Sequence, residues 1–182
     1  MIADLEREPV FIVPYDPEWA MWFTAERERL LIILGSRAAS IEHIGSTAVP
    51  GLSAKPIIDI LLCVGDMSDR SSIISPLVAA GYAYVPEYEE TLPERLFFYR
   101  RQPWACHVHL VRTDSDFRQR HLLFRDYLLI HPEACAAYAR LKEDLAKRFR
   151  HDRRAYTDGK NEFIRALEIA AAAERSRGLT GC

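Results

Sequence analysis

One carboxylate, Asp59, stands inside the apolar run Ile57-Ile58-Asp59-Ile60-Leu61-Leu62, and no other feature constrains the chain as strongly. An acid buried in such a strand without a partner costs on the order of several kcal/mol, so the fold must bring a compensating group to it. A metal ion or a cationic ligand meets that need. Upstream, a hydrophobic strand ends at Gly45-Ser46, and a short Pro/Gly loop leads from there into the Asp59 strand. A turn and an acid are thereby held close together at the ends of two strands.

Each part of this segment has a chemical use. Glycine permits a tight turn with backbone N–H groups facing outward, and Ser46 or Thr47 adds a hydroxyl, a combination suited to phosphate oxygens. An ordinary strand-ending turn is the alternative. Lys55 precedes Pro56, which holds it extended at the mouth of the Asp59 strand, where it can neutralise Asp59 or grip a phosphate. Side chains alternate along a strand, so Asp59 shares its face with Ile57 and Leu61. In His107-Val108-His109-Leu110 the two histidines share one face in the same way.

The arrangement resembles the nucleotidyltransferase superfamily, whose signature is a strand, Gly-Ser, a short spacer and a pair of acids on the next strand. More closely, the chain resembles the GrpB-like family. The residues carrying that match are Glu42 to Thr47, Gly51-Leu52, Lys55 to Ile60, His107 to Leu110, Phe124 to Leu128, Tyr138 with Lys142, and Tyr156 with Lys160. The resemblance implies a nucleotidyltransferase-like core that binds a nucleoside triphosphate or a phosphorylated small molecule with a divalent metal, magnesium or manganese. It also marks a departure, because Leu61 sits where the superfamily places its second metal-binding acid.

A replacement ligand is therefore expected from a neighbouring strand, with His109 as first candidate and Glu42 or His43 as second. Imidazole serves manganese, zinc or iron better than magnesium, so a His/Asp site shifts metal preference. Each histidine also has the plainer reading of a hydrogen-bonded residue at a sheet edge. The expected catalytic residues are Asp59 and His109, and the expected metal ligands are Asp59, His109 and His43. Phosphate contacts are expected from Gly45, Ser46, Thr47, Lys55, Lys142 and Arg95; solvated charge is the alternative for each cation. Lys160 and Arg125 match family positions with weaker claims.

Elsewhere the pattern reads as an α+β protein. Val10 to Val13 reads as an opening strand, and Asp16-Pro17 starts a helix whose stripe, Trp19, Trp22, Phe23, Leu30, Ile33 and Leu34, packs on a sheet. Strands are expected at 40–44, 56–64, 82–85, 96–101 and 106–111, with a helix at 66–80. Residues 86–95, acidic and punctuated by two prolines, read as a mobile loop over the site that carries Arg95. From Ser115 the periodicity turns helical, giving three helices, and residues after Glu174 look frayed. These elements give a nucleotidyltransferase-like small mixed or antiparallel sheet flanked by helices, with a C-terminal helical extension. The expected organisation is a single domain over 1–182, with a core at about 8–112 and the extension at about 114–176.

Bulk properties narrow the partners. A formal charge of −2 on 182 residues creates no field for polymeric nucleic acid or anionic membrane. The segment Met1 to Glu8 lacks the apolar stretch of a secretory signal, and no run approaches the roughly 20 residues that span a bilayer. Cys63, Cys106, Cys135 and Cys182 are widely spaced and read as reduced thiols of a cytoplasmic protein. Two functions fit: a metal-dependent nucleotidyltransferase acting on an unknown small acceptor, or a module that binds a nucleotide or phosphorylated metabolite without turnover. A metal-dependent hydrolase built on Asp59, His43 and His109 is a lesser third.

Overall fold

The computed structural model describes residues 8–179, so the readings of Met1 to Arg7 and of Cys182 lie outside the described residues. Helix α1 (Glu18–Leu34) is followed by strands β1 (Ala38–Ile44) and β2 (Ile58–Val64), helix α2 (Ser71–Ala79), and strands β3 (Ala83–Tyr84), β4 (Leu96–Arg100) and β5 (Cys106–Arg112). Helices α3 (Asp116–Ile130), α4 (Pro132–Arg148), α5 (Arg153–Asp158) and α6 (Asn161–Leu179) complete the chain. The sheet is five-stranded in the order β1-β2-β5-β4-β3 among the described residues. Only β2 and β5 pair in parallel; the other neighbours are antiparallel, so the sheet is mixed.

Alternation splits the strands into two faces. Ile58, Ile60 and Leu62 of β2, Val108 and Leu110 of β5, and Leu96 and Phe98 of β4 pack against Trp19, Leu30 and Leu34 of α1 and Ile73 and Leu77 of α2. Each such side chain contributes about 1.5–3 kcal/mol on burial. The opposite face is only partly apolar: Ile44, Leu61, Cys63 and Val111 pack on Phe117 of α3. The remainder of that face carries Asp59, His107 and His109. Among the described residues no helix is long and apolar enough to cross a membrane.

Several elements differ from the sequence reading. Residues 10–13 add no strand; they form only the Val13–Ala54 bridge, because Val10 buries among Leu145, Ala146 and Tyr156 of the helical extension. The helix expected from Asp66 begins at Ser71, since Asp66 and Asp69 accept from Ser68, Ser71 and Ser72 and hold the preceding residues in turns. The extension holds four helices among the described residues, not three, because Asp152 accepts from the Ala155 amide at 2.9 Å and starts the short α5. Residues 86–95 include a 3-10 turn at Pro86–Glu90, and α6 continues past Glu174 to Leu179.

Glu26, on the packed face of α1, is 1% exposed, a burial that helical periodicity does not disclose. It accepts from the Tyr82 hydroxyl and the Arg100 guanidinium and lies 3.5 Å from Cys106 Sγ. Burial and the Glu26 charge together push the Tyr82 hydroxyl and the Cys106 thiol well above their ordinary pKa values. Removing one partner of a buried ion pair strands the other charge. Glu26→Ala should therefore destabilise the protein by about 3–5 kcal/mol in urea titrations, and Glu26→Ala with Arg100→Ala should cost clearly less than the sum of the two.

Candidate metal and phosphate site

The parallel register places Asp59 opposite His107 and Leu61 opposite His109, so all four side chains share one face of the sheet. Asp59 Oδ1 lies 3.1 Å from His107 Nδ1 and 3.7 Å from His109 Nε2. The three residues offer ligand atoms that all lie within 4.8 Å of one another. Burial opposes ionisation of Asp59, but the hydrogen bond with His107 and the nearby His109 ring outweigh it and hold the carboxyl well below the usual carboxylate range. Asp59 is thus an anion at neutral pH. Burial lowers the pKa of His109 and keeps it neutral, the state a metal ligand requires.

One carboxylate and two imidazoles suit manganese, zinc or iron better than magnesium, which demands oxygen ligands in a near-octahedral set. A divalent ion therefore fits the residues present, with magnesium the poorest match. His107 completes the group. Its place on the His109 face follows from strand alternation, although the sequence reading takes His43 as the third ligand. His43 points the other way: its ring stacks on Phe23 with centroids 4.7 Å apart, and its Nε2 lies 3.0 Å from Thr47 Oγ1.

Gly45 closes the end of the group. Its φ of +70° is open mainly to glycine, and an ideal Cβ there would stand 2.6 Å from Asp59 Oδ2. The turn continues as a 3-10 turn, Ser46–Ala48. Burial pushes the pKa of the Tyr138 phenol up, and the neighbouring Ser46 offsets this only in part. Thr47 is not available to a ligand: it is buried, and its hydroxyl donates to the Ile57 carbonyl at 3.2 Å.

The cations occupy different situations. Arg95 Nη1 lies 3.1 Å from His109 Nδ1, and the guanidinium packs 5.3–5.5 Å from the rings of Tyr88, Phe97 and Phe117. It is docked beside the histidines and does not ride on a free loop. Lys55 pairs with Glu8 at 3.2 Å; burial and the nearby Arg153 lower its pKa to about 8. Lys142 is 2% exposed, donates to the Ser53 carbonyl at 2.5 Å and lies 4.7 Å from the Tyr138 ring centroid, so it braces the loop between β1 and β2. Burial and Lys160 lower its pKa to about 7. Lys160 lies 4.5 Å from the Tyr156 ring centroid, and burial lowers its pKa to about 8. Arg125 is held by Glu42 at 3.1 Å and the His43 carbonyl at 3.0 Å.

Comparison with known proteins bears on the family and the fold. The family model described as GrpB protein matches residues 9–169. A UPF0157 protein of Pseudomonas aeruginosa is 40% identical over 179 residues, 95% of this chain and 72% of its own length. The crystal structure of conserved protein GrpB from Enterococcus faecalis superposes with a TM-score of 0.82 at 32% identity, over 91% of this chain and 99% of that one. The Cid1 poly(U) polymerase, solved with MgGTP bound, shares the fold at a TM-score of 0.53 and 14% identity, over 75% of this chain and 45% of its own.

Gly45→Ala forces a side chain into the Asp59 carboxylate at a positive φ. It should destabilise the protein by about 1–3 kcal/mol in denaturant titrations and abolish manganese binding measured by calorimetry. His43 supplies a pH signature. Burial lowers its pKa from 6.5 to about 4, so the unfolded chain takes up the proton first as pH falls. This contribution is complete above pH 6.5, is lost progressively as pH falls towards 4, and then levels off. The same titration on His43→Phe should show a shallower fall across that window.

Proposed function

Because the chain belongs to the GrpB family and has a nucleotidyltransferase-like fold, we propose that it transfers a nucleotidyl group from a nucleoside triphosphate to a small acceptor with the aid of one divalent ion. What supports this reading most is the Asp59, His107 and His109 group lying against the Gly45-Ser46 turn. In the reaction an acceptor oxygen bonds to the α-phosphorus, the bond from that phosphorus to the β-bridging oxygen breaks, and pyrophosphate leaves. When bound, the ion supplies Lewis-acid polarisation of a phosphoryl oxygen.

The chain's own residues have separable parts in this reading. Asp59, ionised at neutral pH, and the neutral His109 are ready to hold a cation beside His107. Gly45 leaves room for that carboxylate, and the turn it opens presents backbone to phosphate oxygens. Arg95 keeps a permanent positive charge next to His109, where negative charge on a phosphoryl group can be met. Lys142 and Tyr138 join the helical extension to the turn, so the sheet and the extension work as one unit.

A second reading follows from Leu61. It is fully buried with Ile44, Cys63, Val111 and Phe117 where a second acid would be needed, which favours a module that binds nucleotide without turnover. Calorimetric titration of nucleoside triphosphates with manganese, zinc, magnesium or chelator separates the two. For the enzyme, nucleotide and metal binding should strengthen each other, and Asp59→Asn should remove both the coupling and pyrophosphate release while the protein stays folded. Equal affinity in all conditions, with no pyrophosphate released, would leave the binding module.

A further inference from the structure

Neutrality is one requirement on a histidine that holds a cation; the other is that the nitrogen facing the cation carries no proton. In His109 that nitrogen is Nε2, which faces Asp59 Oδ1 at 3.7 Å. The other nitrogen, Nδ1, lies 3.1 Å from Arg95 Nη1. A guanidinium carries only donors, so Nδ1 has to accept from it. The single proton of the neutral ring therefore sits on Nε2, directed at the carboxylate. His107 acts likewise, since its Nδ1, 3.1 Å from Asp59 Oδ1, donates to an ionised acid. Each histidine thus aims a proton at the place where a cation would be held.

The packing fixes this state. The His109 ring meets Phe97 edge-on at 5.2 Å and stacks on Phe117 at 5.5 Å, so its nitrogens do not trade places by turning the ring over. The proton has to move instead. The Arg95 guanidinium is itself seated, 5.3–5.5 Å from the rings of Tyr88, Phe97 and Phe117, and the Arg95 amide donates to the Leu92 carbonyl at 3.1 Å just before β4. Arg70 fastens the same segment through Glu89 and the Pro93 carbonyl. Release of His109 is therefore a side-chain rotation of Arg95 and needs no opening of residues 86–95. The seat is not a perfect one: among the described residues Arg95 Nε is buried without a hydrogen-bond partner, which leaves the docked guanidinium one acceptor short.

We propose that Arg95 is a positioning residue for His109: docked on Nδ1, it holds the ring in the tautomer that cannot ligate, and the site takes a divalent ion only as Arg95 turns away. This rests on the ion-binding reading of Asp59, His107 and His109, and adds how that site is kept closed. The exchange balances within the ring. Nε2 gives its proton to solvent, Nδ1 takes one up, and the imidazole stays neutral with the Nε2 lone pair turned to the cation. Nδ1–H and a guanidinium are two donors face to face, so Arg95 cannot keep its place. A ligating histidine donates its outer N–H to an acceptor, and Arg95 is the reverse of one. The released guanidinium, with Nε still unmatched, suits an anionic phosphoryl oxygen, so a cation and a phosphate draw Arg95 the same way.

The test is nitrogen NMR of the full chain, which separates a ring nitrogen that bears a proton from one that does not, together with calorimetric titration of zinc. In ion-free wild type His109 should show a bare Nδ1 and a protonated Nε2; with zinc bound, Nδ1 should carry the proton. Arg95→Gln removes the charge and offers a carbonyl acceptor in place of the donor. It should populate the Nδ1–H form without any ion and bind zinc more tightly than wild type by about tenfold or more. Arg95→Met removes the same charge without supplying an acceptor and should gain clearly less. Thermal melts establish that the variants are folded, and the wild-type tautomer with and without zinc decides the matter even where one is not. A protonated Nδ1 in ion-free wild type, a bare Nδ1 after zinc binding, no zinc binding by any of the proteins, or equal gains in the two variants would overturn the proposal; the last would reduce Arg95 to a nearby charge. Its failure is distinct from failure of the proposed function, because metal-coupled nucleotide binding lost on Asp59→Asn can survive with no effect of Arg95 on the His109 tautomer. Conversely, zinc entry governed by Arg95 can survive without any pyrophosphate release.

Discussion

In the parallel ladder of β2 and β5, Asp59 faces His107 across one rung and Leu61 faces His109 across a nearby one. A slip of one residue would turn the Asp59 side of β2 toward the helices while His107 and His109 stayed where they are. The ladder is fixed by what lies underneath: Ile58, Ile60, Leu62, Val108 and Leu110 interdigitate with α1 and α2, and none of them can be exposed cheaply. The apolar face thus sets the register, and the register assembles the polar group. Asp59 stays ionised through its hydrogen bond with His107 and a side chain that is 31% exposed, which together answer the cost of placing an acid in this strand.

Two layers of helix then act on opposite sides of that sheet. The face carrying α1 and α2 is closed, apart from the Glu26 network, which satisfies its own charge with Arg100 and Tyr82. The other face is closed only partway, by Phe117 and its neighbours, and the helical extension reaches the Gly45 turn through Tyr138. Aromatic rings separate the histidines from open solvent: Phe97 lies 5.2 Å from both His107 and His109, and Phe117 lies 5.5 Å from His109. Polar chemistry is therefore confined to a narrow zone at the ends of β1, β2 and β5.

Much of this was legible in the sequence because it depends on short-range rules. The strand carrying Asp59, the Gly45 turn, the α1 stripe and the shared face of His107 and His109 all follow from period, turn chemistry and alternation. What failed depends on which face meets which neighbour. His43 differs from a ligand position by one residue of β1, and only the pairing of His43 with Ile60 shows that it lies on the helix side. Thr47 looked like a donor, but its hydroxyl is taken by a carbonyl ten residues later. Residues 10–13 have strand composition, yet Val10 finds its partners in α4 and α5, more than a hundred residues away.

Leu61 has a consequence for how this architecture can change over time. A carboxylate introduced at that point would not restore a two-acid site by itself, because the position is sealed among Ile44, Cys63, Val111 and Phe117. Such an acid would be protonated or would unfold its surroundings, at a cost on the order of several kcal/mol, until those neighbours had also been replaced by polar or smaller groups. A single substitution at Leu61 therefore does not add a working second acid beside Asp59, His107 and His109.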